Sequence, residues 1–337
     1  MIVEALAKAR SGRHLSEAEA FAAFSEIMSG EAVGEAVLAA LLTAIEMNAP
    51  SAAEVTGAAR AMRAACVKVK APAGAVDIVG TGGDGHGTFN VSTVAAFVAA
   101  GAGVTVAKHG NKASTSKSGS ADCLAALGYD LATPVAEVER SLRENGIGFL
   151  FANMCHPAMK YAAPVRRALP FRTIFNLVGP LANPADVCRH ALGVYAPEII
   201  PLYIAALKAF GAERALVFCG PDGLDELGLS GKSHVVELCA SGETREYDFD
   251  PKAAFGAERP AEALRGGDPE RNAQIALDIL SGSEHGARRD VAALNAAAAI
   301  VAGGAATTLE EGIALAYKSI DSGAALGKLR ALTGRAK

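Results

Sequence analysis

The sequence predicts an α/β protein, with a small N-terminal helical domain followed by a large domain whose central, mostly parallel sheet is flanked by helices. Two observations carry this prediction. Residues 1–70 repeat apolar side chains at helical spacing throughout. Beyond them, short β-branched runs alternate with polar loops and small-residue helical stretches, the pattern of parallel strands joined by crossover helices. A chain of 337 residues that is 51% hydrophobic can bury one large and one small core.

In the helical part, residues 16–19 and 51–54 have capping-box spacing (Ser16 with Glu19, Ser51 with Glu54), and Pro50 marks a break. Phe21, Phe24, Ile27 and Met28 form one stripe; Val37, Leu38, Leu41, Leu42 and Ile45 form another. Such stripes need cover, from one another, from the larger domain or from a second copy of the chain. Residues 70–74 read as the linker, and the large domain takes 75–337. Strands are expected at 75–79, 104–107, 147–151, 190–195 and 214–219. A helix is expected over 157–169, with Pro170 fixing its end. The alanine-rich helices at 272–280, 288–302 and 309–320 read as scaffold.

Chemistry concentrates in 75–128. After the first strand comes Gly80-Thr81-Gly82-Gly83-Asp84-Gly85-His86-Gly87, whose five glycines open backbone N–H groups to an oxyanion. Ser92 or Thr93 is a natural N-cap for the helix that follows, turning its positive end toward the loop. The second strand leads into a loop over 108–119, and Ser120 opens the next helix. Between Gly85 and Ala121 stand Lys108, Lys112 and Lys117 and no carboxylate, in a chain of formal net charge -4. That local excess points to an anionic ligand. Either loop alone would pass for a turn with solubilising lysines; two in succession do not. Gly80, Gly82 and Gly85 fit GxGxxG, but the next strand ends in Lys108-His109 rather than an acid, which excludes a nicotinamide dinucleotide site. Nor does the glycine loop continue into the Gly-Lys-Ser/Thr of a nucleotide-triphosphate loop.

No extended basic block exists, which argues against nucleic acid or a membrane surface as partner. The six cysteines have no zinc-like spacing and read as reduced thiols. An early acid, Glu4, and the lack of a long apolar run predict a soluble, cytoplasmic protein.

Taken jointly, Gly80-Thr81-Gly82-Gly83-Asp84-Gly85, Thr88-Phe89-Asn90-Val91-Ser92-Thr93, Lys108-His109-Gly110-Asn111, Ser118-Gly119-Ser120-Ala121-Asp122, His156-Pro157-Ala158-Met159-Lys160, Pro164-Val165-Arg166, Arg172-Thr173-Ile174-Phe175-Asn176 and Gly223-Leu224-Asp225-Glu226 resemble the anthranilate phosphoribosyltransferase family of tryptophan biosynthesis. The resemblance spans about the whole chain. It implies transfer of the phosphoribosyl group of phosphoribosyl pyrophosphate to the amine of anthranilate, with release of pyrophosphate. It further implies that part of 157–184 packs on the helical domain, and that the chain is a homodimer through that domain.

By the same resemblance, phosphoribosyl pyrophosphate is held by Gly80, Gly83, Asp84, Thr88, Asn90, Val91, Ser92, Thr93, Lys108, His109, Gly110, Asn111, Lys112, Ala113, Ser114, Thr115, Ser116 and Ser120. Asp225 and Glu226, with Ser92, hold two magnesium ions; hard Mg2+ commonly takes one or two carboxylates and completes its shell with phosphate and water. Read without the resemblance, Asp225-Glu226 is an exposed acidic turn. Arg166 suits the anthranilate carboxylate, which a guanidinium grips through paired hydrogen bonds. Gly80, Asn111, His109 and His156 complete that pocket, although each histidine also reads as a packing residue. The reaction asks for leaving-group stabilisation, from Lys108 and the metal site, more than for a base or a nucleophile. Asn153, Cys155 and Pro170 depart from the family pattern and bear on the acceptor pocket. A pyrimidine nucleoside phosphorylase shares the lysine-serine loop but not Asp225-Glu226; a nucleic-acid-binding relative would lack the acidic pair and carry a basic surface.

Overall fold

The computed structural model describes residues 1–30, 33–113 and 116–334. It divides into two compact units, one of Met1–Lys68, Ala152–Asp186 and Pro201–Gly211, the other of Val69–Phe151, Val187–Ile200 and Ala212–Lys337.

The first unit is helical. Its helices include Ile2–Ala9, Glu17–Ser29, Glu35–Met47 and Ala52–Ala64. Both expected capping boxes form, with Ser16 and Ser51 each accepting from the backbone N–H three residues on while Glu19 and Glu54 reach back. Glu54 is fully buried and serves a second purpose, because its other oxygen accepts from the Leu15 N–H at 2.9 Å. Both stripes are buried, one at Phe24 and Ile27 and the other at Leu38, Leu41, Leu42 and Ile45, and Phe175 meets Phe24 edge-on at 5.4 Å. Gly57 lets its helix approach the backbone of Glu17 and Phe21, where a Cβ would collide. The segment 201–211, from the stretch read as sheet-and-helix alternation, belongs to this unit. Tyr203 donates its hydroxyl to the Leu177 carbonyl at 2.6 Å, and the Arg63 guanidinium lies 4.5 Å over the Phe210 ring. The helix expected over 157–169 is broken into a 3-10 turn, Pro157–Tyr161, and a short helix, Ala163–Ala168. Pro164 lacks the N–H that a continuous helix would use. Leu169 is extended before Pro170, as a residue preceding proline prefers.

The second unit is built on seven strands: β1 Val76–Gly80, β2 Val106–Gly110, β3 Ile147–Phe151, β4 Arg189–Gly193, β5 Arg214–Cys219, β6 Ser233–Leu238 and β7 Thr244–Phe249. Their order is β3-β2-β1-β4-β5-β6-β7. The first five run parallel, and β6 and β7 add to the edge antiparallel. That final hairpin was not expected from the sequence, although Ser233–Leu238 and Thr244–Phe249 flank a short turn with Gly242 at φ +82°. β2 begins and ends later than expected, which moves Lys108 and His109 out of the loop and into the strand.

The helix Val91–Gly101 is buried along nearly its whole length, packed by Ala287–Ala302, whose residues from Val291 onward are all buried. Alanines in both helices allow this close approach; Gly312 does the same one layer out, where a Cβ would meet Ala297. Strand order reverses where β1 neighbours both β2 and β4, so a crevice opens beyond the carboxyl ends of β1 and β4, the place where open α/β sheets hold ligands. No helix among the described residues is long and apolar enough to cross a membrane.

Candidate functional site

At the switch point β1 and β4 end in paired glycines, Gly80 and Gly193, and Asp225 packs over both. A Cβ on Gly193 would run into the Asp225 backbone, and one on Gly80 into its carboxylate. Two side-chain-free positions therefore admit an acidic residue from the segment after β5 to the end of β1.

The loop after β1 holds Gly82, Gly83, Gly85 and Gly87 at φ of +71°, +72°, +83° and +64°, a left-handed run only glycine adopts cheaply. Gly82 donates its N–H to Asp225 Oδ2 at 2.5 Å, and His86 donates its N–H to Asp84 Oδ1 at 3.1 Å. The loop exit is pinned by a distant segment: Phe89 N–H donates to the Leu264 carbonyl at 3.0 Å, and Gly266 N–H to the Gly87 carbonyl at 2.9 Å.

Neither Ser92 nor Thr93 caps the next helix. The cap is Asn90, without a side-chain capping bond, and Ser92 lies in the first turn. The helix starts earlier because Asn90 turns its side chain sideways, to Ser118. Its amide donates to the Ser118 carbonyl at 3.1 Å, and its oxygen accepts from the Ser118 hydroxyl at 3.1 Å. The Ser92 N–H is left to Glu226 Oε1 at 3.1 Å.

Lys108 is 4% exposed. Its ammonium donates to the Ile78 carbonyl at 2.7 Å and to Ser92 Oγ at 3.2 Å, so it is an internal strut between β1, β2 and the helix start. Burial lowers its pKa, opposed by the nearby charges of Asp77, Glu226 and Asp225. His109 is buried too, with its N–H on Asp77 Oδ1 at 3.0 Å. The second loop closes on Asp122, whose Oδ2 accepts from Ala113 N–H at 2.8 Å and Gly119 N–H at 2.9 Å. Lys112, Ser116 and Lys117 are exposed, and Asn111 Oδ1 accepts from the Lys112 N–H at 2.8 Å. Ser120 donates its hydroxyl to the Asn111 carbonyl at 3.2 Å. Ser114 and Thr115 lie outside the described residues. Val91 and Thr93 are buried, and Thr93 lines a small cleft with Phe97, Lys108, Leu124 and Phe149.

Asp225 and Glu226 do not form an exposed turn, being 8% and 7% exposed. Burial and the charge of Asp84 push the Asp225 carboxyl up to about 7. Glu226 is raised well above its usual range by burial and by Asp225, with Lys108 pulling the other way. Carboxylates crowded into a buried corner beside a hydroxyl, with one ammonium against them, make an oxygen donor set short of positive charge. Such a set fits a hard divalent cation. Among the described residues no three His, Cys, Asp or Glu side chains converge as a closed cage, so any cation here would take its remaining ligands from substrate and water. Behind the pair, Asn295 clamps Leu227 by accepting from its N–H at 2.9 Å and donating to its carbonyl at 3.0 Å. Asn295 carries no motif in the sequence; it stands in an alanine-rich helix whose chemistry only its contacts disclose.

His156 and Arg166 belong to the helical unit. Burial lowers the His156 pKa to about 4, against backbone hydrogen bonds with Ala182 and Met62 that favour the charged form. It is a neutral ring. The Arg166 guanidinium lies 5.2 Å over the Phe175 ring and is partly buried, which lowers its pKa. All six cysteines are free; burial pushes the Cys123 and Cys155 thiols up to about 12, out of the reactive range.

A helical bundle joined to an α/β unit with its oxygen-rich corner at a switch point defines a class. Residues 3–66 match the helical bundle domain, and residues 72–326 the a/b domain, of the glycosyl transferase family. The chain is 52% identical over 330 residues to an anthranilate phosphoribosyltransferase of Rubrobacter xylanophilus, covering 98% of this chain and 96% of that one. The crystal structure of anthranilate phosphoribosyltransferase from Thermus thermophilus superposes with a TM-score of 0.92 at 44% identity, covering 98% of both chains. The Saccharomyces cerevisiae enzyme in complex with PRPP and Mg superposes with a TM-score of 0.90 at 30% identity, covering 99% of this chain and 97% of that one. This chain belongs to the anthranilate phosphoribosyltransferase family.

Proposed function

We propose that this chain transfers the 5-phosphoribosyl group of phosphoribosyl pyrophosphate to the amine of anthranilate, giving N-(5-phosphoribosyl)anthranilate and pyrophosphate in tryptophan biosynthesis. The observation that carries the proposal is the glycine loop after β1 set against the buried Asp225-Glu226 pair at the β1/β4 switch point and tied to the lysine-bearing second loop through Asn90 and Ser118.

The donor's phosphates lie along the first loop, on backbone and side chains of Gly80, Gly83, Asp84, Thr88, Asn90 and Ser92, and along the second from Lys108 through 109–116 to Ser120. Val91 and Thr93 take part through their backbone, since their side chains are buried. Lys112 supplies exposed positive charge. Lys108 acts from below, holding Ser92 in place. Ser92, Asp225 and Glu226 would hold two magnesium ions, which offset the charge of the departing pyrophosphate. As that bond breaks, positive charge grows on the ribose ring and the anthranilate amine attacks the anomeric carbon. Arg166 grips the anthranilate carboxylate; the other residues that the family resemblance assigns to anthranilate are Gly80, Asn111, His109 and His156, the last of them neutral. Alignment and electrostatics carry the rate, and removal of one oriented donor at such a site costs ~3 kcal/mol of transition-state stabilisation.

The working form is a cytoplasmic homodimer through the helical unit, where Val3 and Met47 are 64% and 83% exposed. The test of function is loss of anthranilate fluorescence with phosphoribosyl pyrophosphate and magnesium, beside an Asp225→Asn, Glu226→Gln double variant. Consumption that needs all components and vanishes in the variant supports the reading; consumption unchanged in the variant removes the metal assignment, and none in the wild type removes the reaction.

A further inference from the structure

The helix Pro269–Leu280 lies far along the chain from both loops, yet one of its residues reaches them. Asn272 is 2% exposed and has both ends of its amide engaged. Its oxygen accepts from the Gly267 N–H at 2.8 Å, and its nitrogen donates to Asn90 Oδ1 at 2.9 Å. Asn90 is the residue paired twice with Ser118, once through each end of its amide. One hydrogen-bonded line therefore runs from the Pro269–Leu280 helix through the exit of the first loop to the end of the second.

We infer that Asn272 is a positioning residue for the phosphoribosyl donor: by holding the Asn90 amide in one orientation it keeps the two loops joined and leaves the Ser92 N–H to Glu226. The physical argument starts from what asparagine does at a helix start. An Asn in the N-cap position ordinarily bends its side-chain oxygen onto the N–H groups of the second or third helical residue, here Ser92 and Thr93. Asn90 makes no such bond, because its oxygen is occupied by Ser118 and Asn272. Without the Asn272 donor that oxygen would keep a single hydroxyl partner and could turn to its own helix. There it would compete with Glu226 for the Ser92 N–H and release the Ser118 carbonyl. Local crowding fixes Asn272 itself, since Gly266 sits where a Cβ would strike both Asn272 Oδ1 and the Phe89 backbone.

This inference rests on the reading of the two loops as the donor site, and its test separates the two. Asn272→Asp keeps the size of the side chain and the acceptor for Gly267 but loses the donor toward Asn90. Dissociation constants for phosphoribosyl pyrophosphate with magnesium would be measured by calorimetry, KM for anthranilate by fluorescence, and amide exchange of residues 116–120 in the ligand-free protein. A core variant on another helix, Leu329→Ala, serves as a control, each protein being measured at the same interval below its own Tm. The expected result for Asn272→Asp is donor affinity weakened about tenfold, the scale of one buried hydrogen bond. The anthranilate KM should stay near wild type, and exchange at 116–120 should quicken relative to Leu329→Ala. If Asn272→Asp does not fold, Asn272→Ser and Ser118→Ala interrupt the same line at either end and carry the same expectation. Wild-type donor affinity in these variants, or an equal loss in Leu329→Ala, overturns the inference. Failure of the wild type itself to bind the donor would sink the functional reading, while unchanged exchange at 116–120 would still decide against Asn272 on its own.

Discussion

Asp225 accepts from the Gly82 N–H, shares its corner with Asp84 and Glu226, and is almost wholly enclosed. Its carboxyl titrates near 7 where an ordinary aspartate has 3.8, as part of a coupled pair with Glu226. Between those two values the folded chain holds a proton that the unfolded chain has lost, so this residue's contribution to stability falls as pH rises from 3.8 through 7. Magnesium requires the ionised form. Calorimetry in buffers of differing ionisation enthalpy should therefore show proton release on magnesium addition at neutral pH, shrinking as the pH rises and the coupled pair ionises without the metal. Release that does not shrink with rising pH would contradict the assignment. His156 shifts the other way, its ring held neutral to about pH 4. The unfolded chain takes up a proton near 6.5 and the folded one near 4, so stability is present above 6.5 and lost as pH falls through that window. His156→Gln should lack about 3 kcal/mol of this acid-side loss, read from urea midpoints of the two proteins across the window.

At the level of elements, the site depends on loops that are short of side chains where other chain segments approach. Gly193 is the sharpest case, because the obstacle there is the backbone of Asp225 and cannot rotate away. Gly193→Ala should leave a folded protein with the donor-dependent activity reduced by at least about a hundredfold, a loss of ~3 kcal/mol through displacement of the acidic pair. Steady-state rates at saturating magnesium, beside a circular-dichroism melt, would decide it; near-normal turnover would show that the pair tolerates displacement. Legibility in the sequence varied with how local each element's cause was. The capping boxes at Ser16 and Ser51 were readable because donor and acceptor are three residues apart. β3 and β5 fell where expected, since their apolar runs end abruptly. The start of Val91–Gly101 was not readable, because Asn90 answers to Ser118 and Asn272 rather than to its own helix. The β6–β7 hairpin escaped because its edge strand, mostly exposed apart from Phe249, lacks the continuous apolar run of the parallel strands.

Across the whole molecule, seven strands and two buried asparagines bring residues 80, 92, 118, 225 and 272 into one neighbourhood from segments nearly two hundred positions apart. Binding linkage then makes ligand a stabiliser of the fold: phosphoribosyl pyrophosphate with magnesium at about a hundred times its dissociation constant should add about 2.7 kcal/mol, visible as a raised Tm. The proposed dimer should sediment at twice the monomer mass, and Val3→Glu with Met47→Glu should shift it toward monomer; a wild-type chain that sediments as monomer would remove that assignment. What the sequence determined alone was the set of parts: helical stripes, strand runs, glycine loops, lysines and an Asp-Glu pair, all legible because each is a local pattern. Only the tertiary structure decided that Lys108 is an internal strut, that Asp225-Glu226 is buried, that Asn90 joins two loops, and that helices without motifs supply Asn272 and Asn295. Those facts depend on which backbone passes within hydrogen-bonding distance of which side chain, and that is settled by packing between segments remote in sequence.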